Sequence, residues 1–210
     1  MKLKAIWQMK NGKSFMIVYT IFFFFSFVCI FLPFFLKGNI LVSEVDGYNQ
    51  YYPVFVYIGK YIRKCISSKQ ILQFDFTIGL GEGILPVLNY YGFGDPLNLV
   101  SALFDIGQAP YVYSALMLIR MYLCGLSMVV FCRSEGITYK NGLIAAIAYP
   151  FSTYMLTRGL LFYPYMTGML LLPLMLTGVN DLISKKKRIS SLLIFSVGIQ
   201  AINGFYFLYM

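Results

Sequence analysis

The sequence predicts an all-α integral membrane protein: a polytopic helical bundle with one large outer loop, holding interfacial helices, after its first span. Three observations predict it. Hydrophobic residues make up 59% of the 210 and charged residues 12%, with a mean hydropathy of +0.71. That leaves too little polar surface to coat a soluble globule of this size. Phe15 to Leu36 is a run of 22 residues without a charge, enough to cross about 30 Å of hydrocarbon at ~1.5 Å per residue. The lysines and arginines stand in short clusters between such runs, which is how topology is written.

The first span is therefore 15–36. A cleaved signal peptide is the competing reading, but this run is too long for one and ends in Leu32-Pro33-Phe34-Phe35 rather than at small residues. Further apolar runs predict spans at about 110–132, 141–156, 165–183 and 191–210, the third short and completed by its flanks. All five belong to a single membrane domain, 1–210. The chain ends on Phe205-Tyr206-Phe207-Leu208-Tyr209-Met210 without a polar tail, which reads as the N-terminal portion of a longer protein.

Orientation follows from counting basic residues, whose excess marks cytoplasmic loops. Lys2, Lys4, Lys10, Lys13, Arg133, Lys140, Lys185, Lys186, Lys187 and Arg188 put ten of the seventeen on the side of the N-terminus. Lys37, Lys60, Arg63, Lys64, Lys69 and Arg158 fall on the other. This predicts a cytoplasmic N-terminus and an outer loop, 37–109, that holds six of the eight acids: Glu44, Asp46, Asp75, Glu82, Asp95 and Asp105.

The net charge of +9 is spread over these clusters, so it points to membrane topology and not to nucleic acid. With no histidine and no CxxC spacing among Cys29, Cys65, Cys124 and Cys132, imidazole chemistry and cysteine-cluster metal sites are excluded within the chain.

Chemistry concentrates in the outer loop. Ser43-Glu44-Val45-Asp46-Gly47-Tyr48-Asn49-Gln50-Tyr51-Tyr52-Pro53 sets carboxylates, amides and phenols at the membrane surface, where a carboxylate can act as a base. An ordinary loop with an aromatic belt accounts for the same residues. Pro53 to Ile66 has helical period, with Val54, Tyr57, Ile58, Tyr61, Ile62 and Cys65 on one face and Lys60, Arg63 and Lys64 on the other. The expectation is a helix lying in the interface, its basic face among headgroups. Gly79, Gly81, Gly83, Gly92 and Gly94 predict tight turns or close approach, packed against the spans.

Arg120, near the middle of the second span, must be paired. Its partner is either an acid of the outer loop or an anionic substrate phosphate. Asp181, beside Lys185 to Arg188, is explained by a local ion pair.

Taken together, Asp46-Gly47-Tyr48-Asn49-Gln50-Tyr51-Tyr52-Pro53, Gly79-Leu80-Gly81, Asp95-Pro96-Leu97-Asn98-Leu99, Arg120 with Tyr122-Leu123 and Gly125-Leu126-Ser127, Phe151-Ser152 and Leu172-Pro173-Leu174 resemble the opening of the YfhO family of bacterial multi-spanning membrane proteins. The resemblance implies a GT-C type glycosyltransferase in the bacterial cell membrane, with a polyprenyl-phosphate sugar as donor and a cell-envelope polymer as acceptor. It further implies that Asp46 is the catalytic acid of the first outer loop, and that the chain covers only the first part of a longer bundle.

Sugar transfer from a lipid phosphate needs a base and a positive charge for the departing phosphate. The candidates are Asp46 as base, or as ligand of a divalent cation, with Glu44, Tyr51, Tyr52, Arg120 and Arg158 as substrate-binding residues and Lys37 as a further cation. Two other classes fit the residues: a transporter or flippase for a lipid or anionic solute, built around Arg120, and a non-catalytic membrane partner.

Overall fold

The computed structural model describes residues 12–184 and 188–204. Among the described residues the chain is helical, with a single two-stranded ribbon. Among the described residues three segments are long and apolar enough to cross a membrane: Gly12–Leu36, Ile106–Ser134 and Tyr163–Ile183. Lys2, Lys4, Lys10 and Lys185 to Lys187, which carry much of the orientation argument, lie outside the described residues.

Helix α1 (Gly12–Leu36) buries one aromatic every fourth residue: Phe15, Tyr19, Phe23, Phe27 and Phe31. Successive ring centroids are 5.8, 5.8, 6.4 and 4.7 Å apart. Its opposite face, with Ile17, Ile21, Phe25 and Val28, is exposed, as expected of a surface that meets lipid rather than water.

After the loop, α5 (Ala109–Ser134) enters with Pro110 in its first turn, where the missing N–H costs nothing. A reciprocal cap between Asp105 and Gln108 precedes it. Helix α6 (Tyr139–Ala148) starts on the Thr138 side chain. Helix α7 (Tyr163–Ile183) packs on α5, and α8 (Ser191–Asn203) packs on α7. Gly125 makes one close approach possible, because a Cβ there would collide with the Tyr19 hydroxyl and the Ala146 carbonyl.

The run expected as the third span is broken. Helix α6 stops at Ala148, the chain turns through Tyr149-Pro150, and a wide helical turn follows at Met155–Gly159. Tyr149 is still helical and donates to the Ala145 carbonyl at 2.9 Å, but Pro150 has no N–H to carry the ladder further, and the chain leaves the helix there. Of the fifth run, Ser191–Asn203 is described and Phe205 to Met210 lies outside.

Pro173 inside α7 releases the Met169 carbonyl from its helical partner. The Tyr149 hydroxyl donates to that oxygen at 2.9 Å. The carbonyl is thereby satisfied from the neighbouring segment, as a low-dielectric interior requires.

The first loop is a folded layer. A wide helical turn (Gly47–Tyr51) runs into α2 (Tyr52–Ser68), then a ribbon of β1 (Phe74–Asp75) and β2 (Glu82–Gly83) in register Phe74↔Gly83 and Asp75↔Glu82. Helices α3 (Ile84–Tyr90) and α4 (Pro96–Leu99) follow, then two short 3-10 turns (Val100–Leu103 and Ile106–Gln108).

Val54, Tyr57, Ile58, Tyr61, Ile62 and Cys65 all face one way in α2, as their spacing predicts. They face protein, however: Ile84, Leu88, Leu72, Ile78 and Phe93 complete that cluster. The basic side also departs from expectation. Arg63 is not among headgroups but donates to the carbonyls of Ser101, Ala102 and Phe104 at 3.2, 3.2 and 2.8 Å. It holds the turn that leads into α5.

Candidate functional site

Between the C-terminal end of α1 and α2, the chain passes through Val45 at φ 62°. A β-branched residue in the left-handed region is a real outlier, and such strain gathers at functional sites. Val45 stands between the two candidate carboxylates, Glu44 and Asp46. Asp46 opens the wide turn Gly47–Tyr51, and its Oδ1 accepts from Gln50 Nε2 at 2.8 Å. Gln50 Oε1 in turn accepts from the Tyr91 hydroxyl at 3.2 Å, and the Tyr91 carbonyl accepts from the Tyr163 hydroxyl.

Hydrogen bonds thus tie Asp46 through Gln50 to the side chain of Tyr91, the residue that ends α3, and the backbone of Tyr91 to the start of α7. The i, i+4 spacing of Asp46 and Gln50 was open to a sequence reading; the parts played by Tyr91 and Tyr163 were not.

Tyr51 is buried, its ring edge-on to Tyr91, Phe162 and Tyr163 at centroid distances of 5.3, 5.1 and 5.4 Å. Burial pushes its hydroxyl above the ordinary phenol range. Tyr51 therefore floors the region under Asp46 rather than opening onto it. Tyr52 is half-buried against Tyr113, with centroids 5.8 Å apart.

Glu44 is exposed and lines a cavity of about 600 Å³. The cavity walls are Phe31 and Phe34 of α1, Leu41, and Leu156, Leu160 and Leu161 of the broken segment. Its polar edge is Asn39, Ser43, Glu44 and Thr157. Ser43 Oγ is buried with no hydrogen-bond partner among the described residues. Arg158 directly follows the cavity residue Thr157 and is exposed. The structure thus brings Glu44 to the cavity, Asp46 two residues beyond it and Arg158 to the opposite wall's segment.

Arg120 is elsewhere. Its guanidinium is 2% exposed and meets Asp95 Oδ2 at 2.9 Å from Nη2. Nη2 also donates to Asn98 Oδ1 at 2.6 Å, and Nε donates to Thr167 Oγ1 at 3.3 Å. The Thr167 hydroxyl donates to Asp95 Oδ2 at 2.6 Å, and the Leu97 amide donates to Asp95 Oδ1 at 2.9 Å. The Tyr163 ring lies 5.1 Å from the guanidinium carbon. Of the two partners open to Arg120, the loop acid is the one it takes. The pair fastens the loop to α5 and α7.

For a divalent cation, Asp46 offers one carboxylate whose Oδ1 already serves Gln50. Among the described residues no three acids, cysteines or histidines converge on one point.

Fold and site together define a helical integral membrane protein whose first loop is pinned into the bundle by a buried ion pair and carries a strained, acidic edge beside a cavity of about 600 Å³. The chain belongs to the YfhO family: the family model described as "Bacterial membrane protein YfhO" matches residues 14–210. No curated protein and no solved structure matches it.

Proposed function

We propose that this chain forms the donor-binding, base-bearing part of a GT-C type membrane glycosyltransferase, its N-terminus cytoplasmic and its first loop at the outer face. The donor is a polyprenyl-phosphate sugar and the acceptor a hydroxyl of a cell-envelope polymer. One observation carries the reading: an apolar cavity of about 600 Å³, walled by α1 and residues 156–161, whose polar edge includes Ser43 and Glu44, with Asp46 two residues further along the chain. A lipid chain in the cavity would bring its phosphate and sugar to that edge.

In the reaction the acceptor oxygen attacks the anomeric carbon, and the bond from that carbon to the phosphate oxygen breaks. The electron pair leaves on the lipid phosphate, and the acceptor proton passes to Asp46. Gln50 fixes the Asp46 carboxylate by its 2.8 Å bond. Arg158 supplies positive charge for the departing phosphate, and Glu44 receives hydroxyls of the sugar. Tyr51 and Tyr52 support this edge from beneath. A divalent cation, where used, would draw on Asp46 and on oxygens of the phosphate itself.

The transporter reading rests on a free charge in mid-membrane, and the support for it falls because Asp95 neutralises Arg120. The test uses the full-length gene in its host as wild type, as a deletion and as Asp46→Asn, at matched membrane levels. Loss of one envelope sugar substituent in both mutants is expected. In membranes the variant should transfer about 10²- to 10⁴-fold more slowly, the usual worth of a general base. An unchanged envelope in both mutants would overturn the reading.

A further inference from the structure

The ribbon after α2 carries apolar side chains that the fold does not use. Leu80, at its turn, is 102% exposed, Phe76 82% and Ile71 71%. Ile78, between Phe76 and Leu80, turns inward into the cluster under α2. The chain therefore had an interior available and left its neighbours out. Phe74 and Phe76 stack edge-on, centroids 5.0 Å apart, over Gly81. A Cβ on Gly81 would come within 3.1 and 3.3 Å of the two rings, and its φ of +103° also favours glycine. The exposed rings thus form a built wedge, not a frayed end.

Charge around the wedge is arranged in a particular way. The Asp75 carboxylate is engaged by the Tyr57 hydroxyl at 2.6 Å and by the Thr77 amide and hydroxyl at 2.8 and 2.7 Å. Lys64 and Lys69, at the end of α2, are exposed, and Glu82 is the remaining acid of the ribbon. Exposed apolar tips on a ribbon preceded in the chain by exposed lysines match one surface in a single step: a bilayer with anionic headgroups, which takes rings at its acyl boundary and cations at its phosphates.

We propose that residues 71–83 form a wedge that dips into the lipid leaflet on the side of the first loop, with Phe76 and Leu80 below the headgroups and Lys64 and Lys69 at the phosphates. The wedge lies apart from the cavity site, and its function does not depend on the transfer reaction. It takes over the membrane contact that the sequence assigned to α2, whose apolar face is spent inside the protein.

The test is depth-resolved fluorescence. The sequence contains one tryptophan, Trp7, so Leu80→Trp and, separately, Phe76→Trp are made on Trp7→Phe. Each protein is reconstituted in phosphatidylcholine and phosphatidylglycerol vesicles at a low protein-to-lipid ratio. Lipids brominated along the acyl chain should lower the emission at least about two-fold, while aqueous iodide lowers it little, for a side chain ~5–10 Å deep. Lys64→Glu with Lys69→Glu should raise iodide quenching. Strong iodide quenching without bromolipid quenching in both tryptophan variants overturns the proposal. So does shielding that vanishes on diluting the protein in lipid, since a second copy would then be the cover.

Discussion

The first loop places two acids in opposite circumstances. Asp95 is 1% exposed and bonded to Arg120, Thr167 and the Leu97 amide. Asp46 is half-exposed, beside a strained Val45, with one side-chain bond to Gln50. Both belong to the family-like stretches of the sequence, yet one fastens the loop and the other is left half-exposed, where the proposed transfer needs a base. The contrast separates a carboxylate spent on holding the fold from one left open to a ligand, two demands that sequence patterns alone do not tell apart.

The sharpest way to break the contrast is Asp95→Ala. It strands a buried guanidinium and should cost about 3–5 kcal/mol, seen as a collapse of membrane yield or a large drop in thermal midpoint in detergent. Asp46→Asn should leave that midpoint within about 0.5 kcal/mol of wild type. Equal destabilisation by the two would erase the distinction.

Gln50→Ala tests whether Asp46 needs its partner. Transfer should fall about tenfold, matching ~1.4 kcal/mol for a hydrogen bond to a charged group. The loss should appear in kcat with KM unchanged, since the carboxylate is misplaced and the cavity is intact. A rise in KM alone would instead put Gln50 on the substrate.

Val45→Gly relaxes the strained backbone and should raise stability by about 1 kcal/mol. Transfer should fall as the acidic edge loosens, a trade common where strain serves function. A gain in both would remove the strain from the argument.

The smallest effect concerns Asp75. The Tyr57 hydroxyl first, then the Thr77 amide and hydroxyl, hold its carboxyl down to about 2. Its pKa is depressed in the folded state, so its contribution is present above the unfolded value and is lost as pH falls through the folded one. Pepsin cleavage between residues 71 and 83 should therefore increase as pH drops from about 4 to 2, and Asp75→Asn should be cleaved readily at the upper end. Cleavage independent of pH in the wild type would show that the ribbon is held by other contacts.

Much of this was legible in the sequence. Apolar length alone marks α1, α5 and α7, because the bilayer sets a minimum that few other constraints mimic. The apolar face of α2 was legible to the residue. Its partner was not, since amphipathic spacing says that a face is covered and not whether lipid or protein covers it. That is why Arg63 was assigned to headgroups when it holds three carbonyls.

The break after α6 was written in Pro150, which the apolar run around it outweighed. Arg120 clearly needed a partner, but Asp95 is 25 residues away and chosen by the folding of α4. Glu44 and Asp46 could be singled out; the cavity beside them needs Leu156 to Leu161, brought there only by the turn at Pro150.

The aromatic ladder of α1 bears on that cavity. A step of four residues overshoots a full helical turn by about 40°, so the four steps from Phe15 to Phe31 carry the stripe about 160° around the axis. At its start the stripe meets α6, through Phe15 and Tyr139, and then α5 through Tyr19 and Tyr122. At its end Phe31 has swung away to become a wall of the cavity. The pitch of one repeated residue type is thus a spiral stair: its lower treads close the protein and its upper tread leaves a room open.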